Sequence, residues 1–221
     1  MSAQSICDIG YKQGAEFFTA LQKAGFTGDI VQQVINSRGN KLAKAMYTAV
    51  TNGQQTDDRF EYVKTVEVTI PDGYDKANPL DTYKVRHESE YYYYNPGLTD
   101  ANFAKATTTL TPGRKFAVKV FAIKKGERVT SEDCLAQYKR VNAVLVGAQG
   151  LTVLCEQKKG ELPKGKYHVS FDEKEALPVL GEYRRVPYVG ADSDGDFGLG
   201  LGDFGDDWRG DDCLLCFCDI S

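Results

Sequence analysis

Asp192, Asp194, Asp196 and Asp203 stand at positions 1, 3, 5 and 12 of one window, the spacing at which loop carboxylates surround calcium. The sixth position, where such a loop turns sharply on glycine, is Phe197, and the last ligand is Asp in place of Glu. Solvated carboxylates are the favoured reading, with a calcium site as the alternative. Cys213, Cys216 and Cys218 carry a spacing that could hold zinc with one further ligand. The imidazole donors are only His87 and His168, and the cysteines sit within the apolar run CLLCFC, where buried free thiols are the ordinary state. No metal or other cofactor is therefore expected. Neither histidine has an evident Ser and Asp constellation, and G-x-S-x-G is missing. Val146 to Gly150 has neither G-K-[ST] nor the G-x-G-x-x-G spacing of a phosphate loop. The residues that could do chemistry point to binding rather than to catalysis.

The four aspartates belong to SDGDFGLGLGDFGDDWRGDD, Ser193 to Asp212, in which 13 of 20 residues are Asp or Gly. Such a composition alone predicts disorder. Phe197, Leu199, Leu201, Phe204 and Trp208 recur through it, however, and CLLCFCDI follows. From Asp196 to Gly202 the apolar residues alternate strictly with Asp and Gly, the period of a half-buried strand. The segment thus reads as an ordered excursion, pinned by large side chains and closed by a core strand. Glycine weakens a strand, so sheet stability alone does not select it.

Charge is distributed unevenly. Residues 189–221 hold nine Asp and one Arg, a balance of −8, while the remainder of the chain carries +4. The same stretch lacks Lys, Glu, Gln, Asn and Thr. An acidic patch repels phosphate, which argues against a nucleic-acid partner. No apolar run is long enough to span a bilayer, and the N-terminus shows no secretory leader, so a cytoplasmic or particle-associated chain is expected.

Several elements must position this segment. Residues 1–57 read as short helices, with Phe17, Phe18, Leu21 and Phe26 near one face, and are expected to attach or oligomerise the chain. FEYVKTVEVTI predicts a strand, and TYKVRHESEYYYYNPG contains a second, with Tyr91 to Tyr94 alternately buried and exposed. TDANFAKA is a short helix capped by Thr99 or Asp100. KFAVKVFAI is a strand. Thr130 and Asp133 form a capping box for the helix in VTSEDCLAQYKR. NAVLVGAQG is a short strand meeting a glycine turn, LTVLCEQKK a helix, and YHVSFD and VPYV lead into the acidic segment.

One process yields the composition of residues 189–213. Codons of the type AAC, randomised at their adenines, reach Asp, Gly, Ser, Ala, Arg, Tyr, Cys, Leu and Phe, but not Lys, Glu, Gln, Met or Trp. The outward positions are Asp, Gly, Ala, Ser and Arg; Trp208, which cannot be reached, sits where a fixed anchor would.

KFAVKVFAI, TSEDCLAQYKR, NAVLVGAQGLTVLCEQKKGELPKG, VSFD and RRVPYV resemble the C-type-lectin-like ligand-binding domains of variable proteins diversified by retroelements in bacteria, archaea and their viruses. The chain is similar in particular to poorly characterised members from candidate-phylum bacteria. The resemblance covers residues 60–221 and is firmest over 114–221. It implies an α+β, C-type-lectin-like fold with two helices, a small mostly antiparallel sheet and long ordered loops, preceded by the helical region 1–57 and a β-rich accessory region 58–113. It implies binding without chemistry, by a hypervariable face at about 189–213. That face comprises Gly190, Asp192, Asp194, Asp196, Gly198, Gly200, Asp203, Gly205, Asp206, Asp207, Arg209, Gly210, Asp211 and Asp212. Phe197, Leu199, Leu201, Phe204, Trp208, Leu214 and Leu215 would be its frame. The implied partner is a protein or other surface ligand, cationic in view of the aspartates; the alternative is a calcium-binding lectin-like or structural assembly protein. Such folds also resemble formylglycine-generating enzymes, for which Cys213 and Cys218 would be the candidate reactive pair; fold likeness alone does not carry that activity.

Overall fold

The alternation in KFAVKVFAI and the apolar run in CLLCFC make two neighbouring strands at the centre of a sheet. The computed structural model describes residues 57–220, together with Thr19 and Thr27. Thr19 is helical and exposed; the helices expected over 1–57 otherwise lie outside the described residues. The chain divides into two units, Met1–Gly53 and Gln54–Ser221, and the sheet belongs to the second.

The described residues run in the order β1 (Phe60–Thr69), α1 (Pro79–His87), β2 (Tyr93–Tyr94), β3 (Lys115–Ile123), β4 (Arg128–Val129), α2 (Ser131–Arg140) and α3 (Gly147–Lys158). There follow β5 (Lys166–Val169), β6 (Val179–Leu180), β7 (Tyr183–Ala191), β8 (Phe197–Asp203), β9 (Trp208–Arg209) and β10 (Asp212–Asp219). The main sheet has the order β1-β3-β10-β5-β7-β8-β2, with β6 added to β7, while β4 and β9 pair separately. β10 runs parallel to β5, and β2 parallel to β8; all other pairs are antiparallel. Residues 57–220 form an α+β fold with three short α-helices on a mostly antiparallel sheet.

Alternate residues of each strand face two separate cores. On one side Val118, Val120, Leu215, Phe217, Val189 and Leu199 pack with Leu80 and Tyr83 of α1 and Leu151, Leu154 and Cys155 of α3. On the other, Phe121, Leu214, Cys216, Val169 and Val186 pack with Cys134 and Tyr138 of α2 and with Phe171, Phe204 and Trp208. The expected capping box of α2 is present: Thr130 Oγ1 accepts from Asp133 N at 3.2 Å, and Asp133 Oδ2 accepts from Thr130 N at 3.0 Å.

The strand expected within TYKVRHESEYYYYNPG is β2, directly before Asn95, and three other local expectations are corrected. TYKVRH closes the helix α1; Pro79 opens it, and its Leu80 and Asp81 amides donate to the Asp100 carboxylate at 3.1 and 2.9 Å. Asp100 therefore caps a helix 20 residues earlier in the chain, and TDANFAKA is a run of turns. Tyr91 and Tyr94 are buried while Tyr92 and Tyr93 between them are exposed, because the chain there is a 3₁₀ turn leading into a two-residue strand, so the period of two never develops. Gly147 to Gly150 form the first turn of α3 and no strand precedes it; Val144 makes a single bridge to Phe217. β1 and β2 from 58–113 form the two edges of the same sheet, which is larger than the small one expected.

Candidate functional site

The frame of the acidic segment begins with β8, whose Leu199 is fully buried and whose Phe197 and Leu201 pack partly against the α1/α3 core. Beyond β8, Phe204 and Trp208 turn into the opposite core and stack edge-on against Phe171 at 6.3 and 5.6 Å between ring centres. Polar closure is provided by Ser131 at the start of α2. Its Oγ accepts from Trp208 Nε1 at 2.9 Å and donates to the Phe204 carbonyl at 2.7 Å. Both groups are thereby satisfied in a buried setting, where leaving them unpaired would cost the full desolvation penalty. Leu214 and Leu215 are fully buried on opposite faces of β10.

Three aspartates hold turns together. Asp192 Oδ1 accepts from the amides of Asp194, Gly195 and Asp196 at 3.0, 2.8 and 2.9 Å, which organises the β7–β8 hairpin around Gly195 at φ +99°. Asp203 Oδ1 accepts from Gly205 N at 2.8 Å, and Asp212 Oδ2 from Arg209 N at 2.8 Å. Burial raises the Asp212 carboxyl above the ordinary range, and the Arg209 amide opposes that rise.

The alternate glycines lie beneath aromatic rings. Tyr188 is the cross-strand partner of Gly200, and a Cβ built at Gly200 would stand 2.4 Å from Tyr188 Cζ. Tyr167 is the partner of Gly190, with its ring 3.1 Å from the corresponding Cβ position. The Tyr92 hydroxyl stands 2.7 Å from the Cβ position of Gly198, and the Trp208 ring 3.0 Å from that of Gly202. Tyr167 and Tyr188 meet edge to face at 5.5 Å. The strand that glycine weakens is thus covered by rings from its neighbours, the arrangement by which aromatic side chains compensate for glycine in a sheet. Tyr92, Tyr93 and Tyr167 remain 66%, 46% and 47% exposed. The face of the sheet that α2 and Trp208 leave open is therefore a surface of tyrosines.

These contacts sort the fourteen expected face positions. Gly190, Gly198 and Gly200 are buried and do not present open space, a correction with a plain cause: each carries a tyrosine ring in place of a side chain. Asp192, Asp203 and Asp212 are half-buried turn caps. A Cβ at Gly210 would stand 3.2 Å from the Lys125 Cα, so a side chain there requires the Lys125 backbone to give. Asp194, Asp196, Gly205, Asp206, Asp207, Arg209 and Asp211 are exposed. Asp207 approaches Arg128 at 3.8 Å, a surface pair of little energetic weight.

The rival chemistries find little geometry. The Asp192 carboxylate, first in the calcium-like spacing, is occupied by backbone amides. Among the described residues no group of three His, Cys, Asp or Glu is placed to hold a metal ion. Cys213 belongs to one core and Cys216 to the other, so the two do not converge on a shared site. Cys213 and Cys218, the candidate reactive pair, are five residues apart on one strand and both buried; burial pushes the Cys213 thiol up to about 12. His168 is fully buried on β5, with Nδ1 3.4 Å from the Val189 carbonyl, and burial holds its imidazole down at about 4. His87 lies on α1, with Nδ1 2.8 Å from Glu90 and Nε2 3.7 Å from Glu156.

Tyr92, Tyr93, Tyr167 and Tyr188 are absent from the expected face. The signal for them was present as three alternating glycines, Gly198, Gly200 and Gly202, which need large partners on adjacent strands. Comparison of the chain with family models, with curated proteins and with solved structures returned no match.

Proposed function

We propose that this chain is a non-enzymatic ligand-binding protein of C-type-lectin-like fold. Its C-terminal surface is hypervariable, diversified by retroelement-directed mutagenesis at adenines. The fold reading is supported by the two helices α2 and α3 that follow β3, the mostly antiparallel sheet and the long ordered crossing from Phe204 to Asp211.

One observation carries the functional reading. Asp194, Asp196, Gly205, Asp206, Asp207, Arg209 and Asp211 are exposed, although they alternate in sequence with some of the most deeply anchored residues of the protein. A rigid frame that leaves such positions outward can absorb sequence change there, as antibody loops do on their sandwich. The ligand of this copy is a protein or other surface partner of cationic character, because six of the seven positions are charged and five are Asp.

The DNA around the gene tests the reading. The expected finding is a near-copy of the codons for residues 189–221 that differs at adenines, beside a reverse-transcriptase gene. Ordinary codons with no such copy would remove diversification and leave an acidic lectin-like domain.

A further inference from the structure

The tyrosine surface has a cavity of its own. A groove of about 250 Å³ runs beside Tyr92 and Tyr167, lined also by Gly165, Lys166, Gly190, Ala191, Asp192 and Ser193. It is smaller than the roughly 300–1,000 Å³ of sites for drug-sized molecules, and accommodates a side chain more readily than a free ligand. One carboxylate lines it and others stand nearby. Asp192 lines the groove, Asp194 and Asp196 follow on the same hairpin, and Asp212 is the register partner of Tyr167. One cation, Lys166, lines the groove, but its Nζ is engaged, bonding the Gly210 carbonyl and facing Asp211 at 3.9 Å; Lys164 Nζ is turned to the hairpin, 3.2 Å from the Cβ position of Gly195. The tyrosines are clustered closely enough that Tyr167, Tyr93 and Tyr92, after burial, raise the Tyr188 hydroxyl above its ordinary value.

We infer that this groove receives an arginine side chain from an extended segment of a partner protein, its guanidinium stacked on the Tyr92 and Tyr167 rings and its charge met by the hairpin aspartates. The inference rests on the binding reading above and names its partner. Charge complementarity selects a cation and rejects phosphate-bearing ligands. Exposed tyrosine faces select guanidinium over ammonium, since the planar and weakly hydrated group stacks on a ring whereas ammonium retains its water. Tyrosine contributes large contact area at low entropic cost, which suits protein recognition. The binding energy then comes in part from Tyr92, just before β2, and Tyr167 on β5, both outside residues 189–213, with the aspartates setting preference around it.

Calorimetry on the full chain tests this with Gly-Arg-Gly-Arg-Gly and Gly-Lys-Gly-Lys-Gly peptides at low salt. The arginine peptide should bind more tightly, and Tyr92→Ser and Tyr167→Ser should each weaken it about three- to fivefold, the worth of one exposed cation–π contact. Tyr92→Ser should lower the melting temperature only slightly, because most of that ring is in solvent and only its tip covers Gly198. Equal affinity for the two peptides, indifferent to both tyrosines, would overturn the inference. So would absence of binding at millimolar peptide, or saturable binding of an uncharged oligosaccharide to the same rings. Selection of a random twelve-residue peptide library on the full chain separates this inference from the reading beneath it. Arginine-rich binders lost on Tyr92→Ser support it. Binders that lack arginine and are lost only on Asp194→Ser or Asp211→Ser overturn the arginine inference alone. A library that yields no binder to this face overturns both.

Discussion

Tyr188 stands directly across the β7–β8 ladder from Gly200, and its ring fills the volume that a side chain at 200 would occupy. The glycine-rich strand is ordered because its missing side chains are supplied by neighbours. Two demands are met at once: the rings cover the backbone that glycine exposes, and they form the outer surface. Gly200→Ala should therefore destabilise the protein by about 1–3 kcal/mol through overpacking against a fixed ring. Gly198→Ala should cost less, under about 1 kcal/mol, since the exposed Tyr92 hydroxyl can swing aside. Urea midpoints of the two variants decide it, and equal losses would refute the assigned packing.

The hairpin aspartates should divide by role. Asp192→Ala removes the acceptor of three amides and should cost about 1–3 kcal/mol, while Asp192→Asn keeps most of the turn. Asp194→Ser and Asp196→Ser should stay within about 0.5 kcal/mol of the parent. Thermal melts of the four variants check this. A large loss at Asp194 would mean that the exposed carboxylates hold the fold.

Ser131 couples α2 to the acidic crossing. Ser131→Ala leaves the Trp208 indole N–H and the Phe204 carbonyl buried without a partner, at a cost of about 2–3 kcal/mol. Trp208→Phe removes the indole donor, so the double variant should lose less than the sum of the two singles. Strict additivity in the double-mutant cycle would show that the contact is not made.

His168 gives a signed pH dependence. Its imidazole, near 6.5 when unfolded, is held at about 4 by burial in the native state. Between those values the unfolded chain binds the extra proton and the native chain does not, so acidification favours unfolding. The stabilisation is fully present above pH 6.5 and is lost as pH falls towards 4, to an extent of about 3 kcal/mol. Urea midpoints at pH 7.5 and pH 5 should fall more steeply for the parent than for His168→Gln. Parallel slopes would place the imidazole in contact with solvent.

Much of the frame was legible in sequence. The alternation of Phe197, Leu199 and Leu201, the Trp208 anchor and the Thr130–Asp133 box each declare themselves within a few residues, where period and capping chemistry act. What was not legible depended on partners distant in the chain. Asp100 reads as the cap of its own segment, yet satisfies amides 20 residues away. Gly198 and Gly200 read as open positions because rings from Tyr92 and Tyr188 reach them only once the strands are in register. The tyrosine run resists a period-two reading because a 3₁₀ turn and a two-residue strand rotate Tyr91 and Tyr94 inward together.

The central claim is that an anchored frame presents outward positions that are free to vary. Sequencing of this gene across many cells of one population tests it most directly. Alleles should differ at Asp194, Asp196, Asp206, Asp207, Arg209 and Asp211, while Gly200, Tyr188, Ser131, Trp208 and the β10 core stay constant. Substitutions spread evenly over frame and outward positions, or alleles identical throughout residues 189–213, would contradict it.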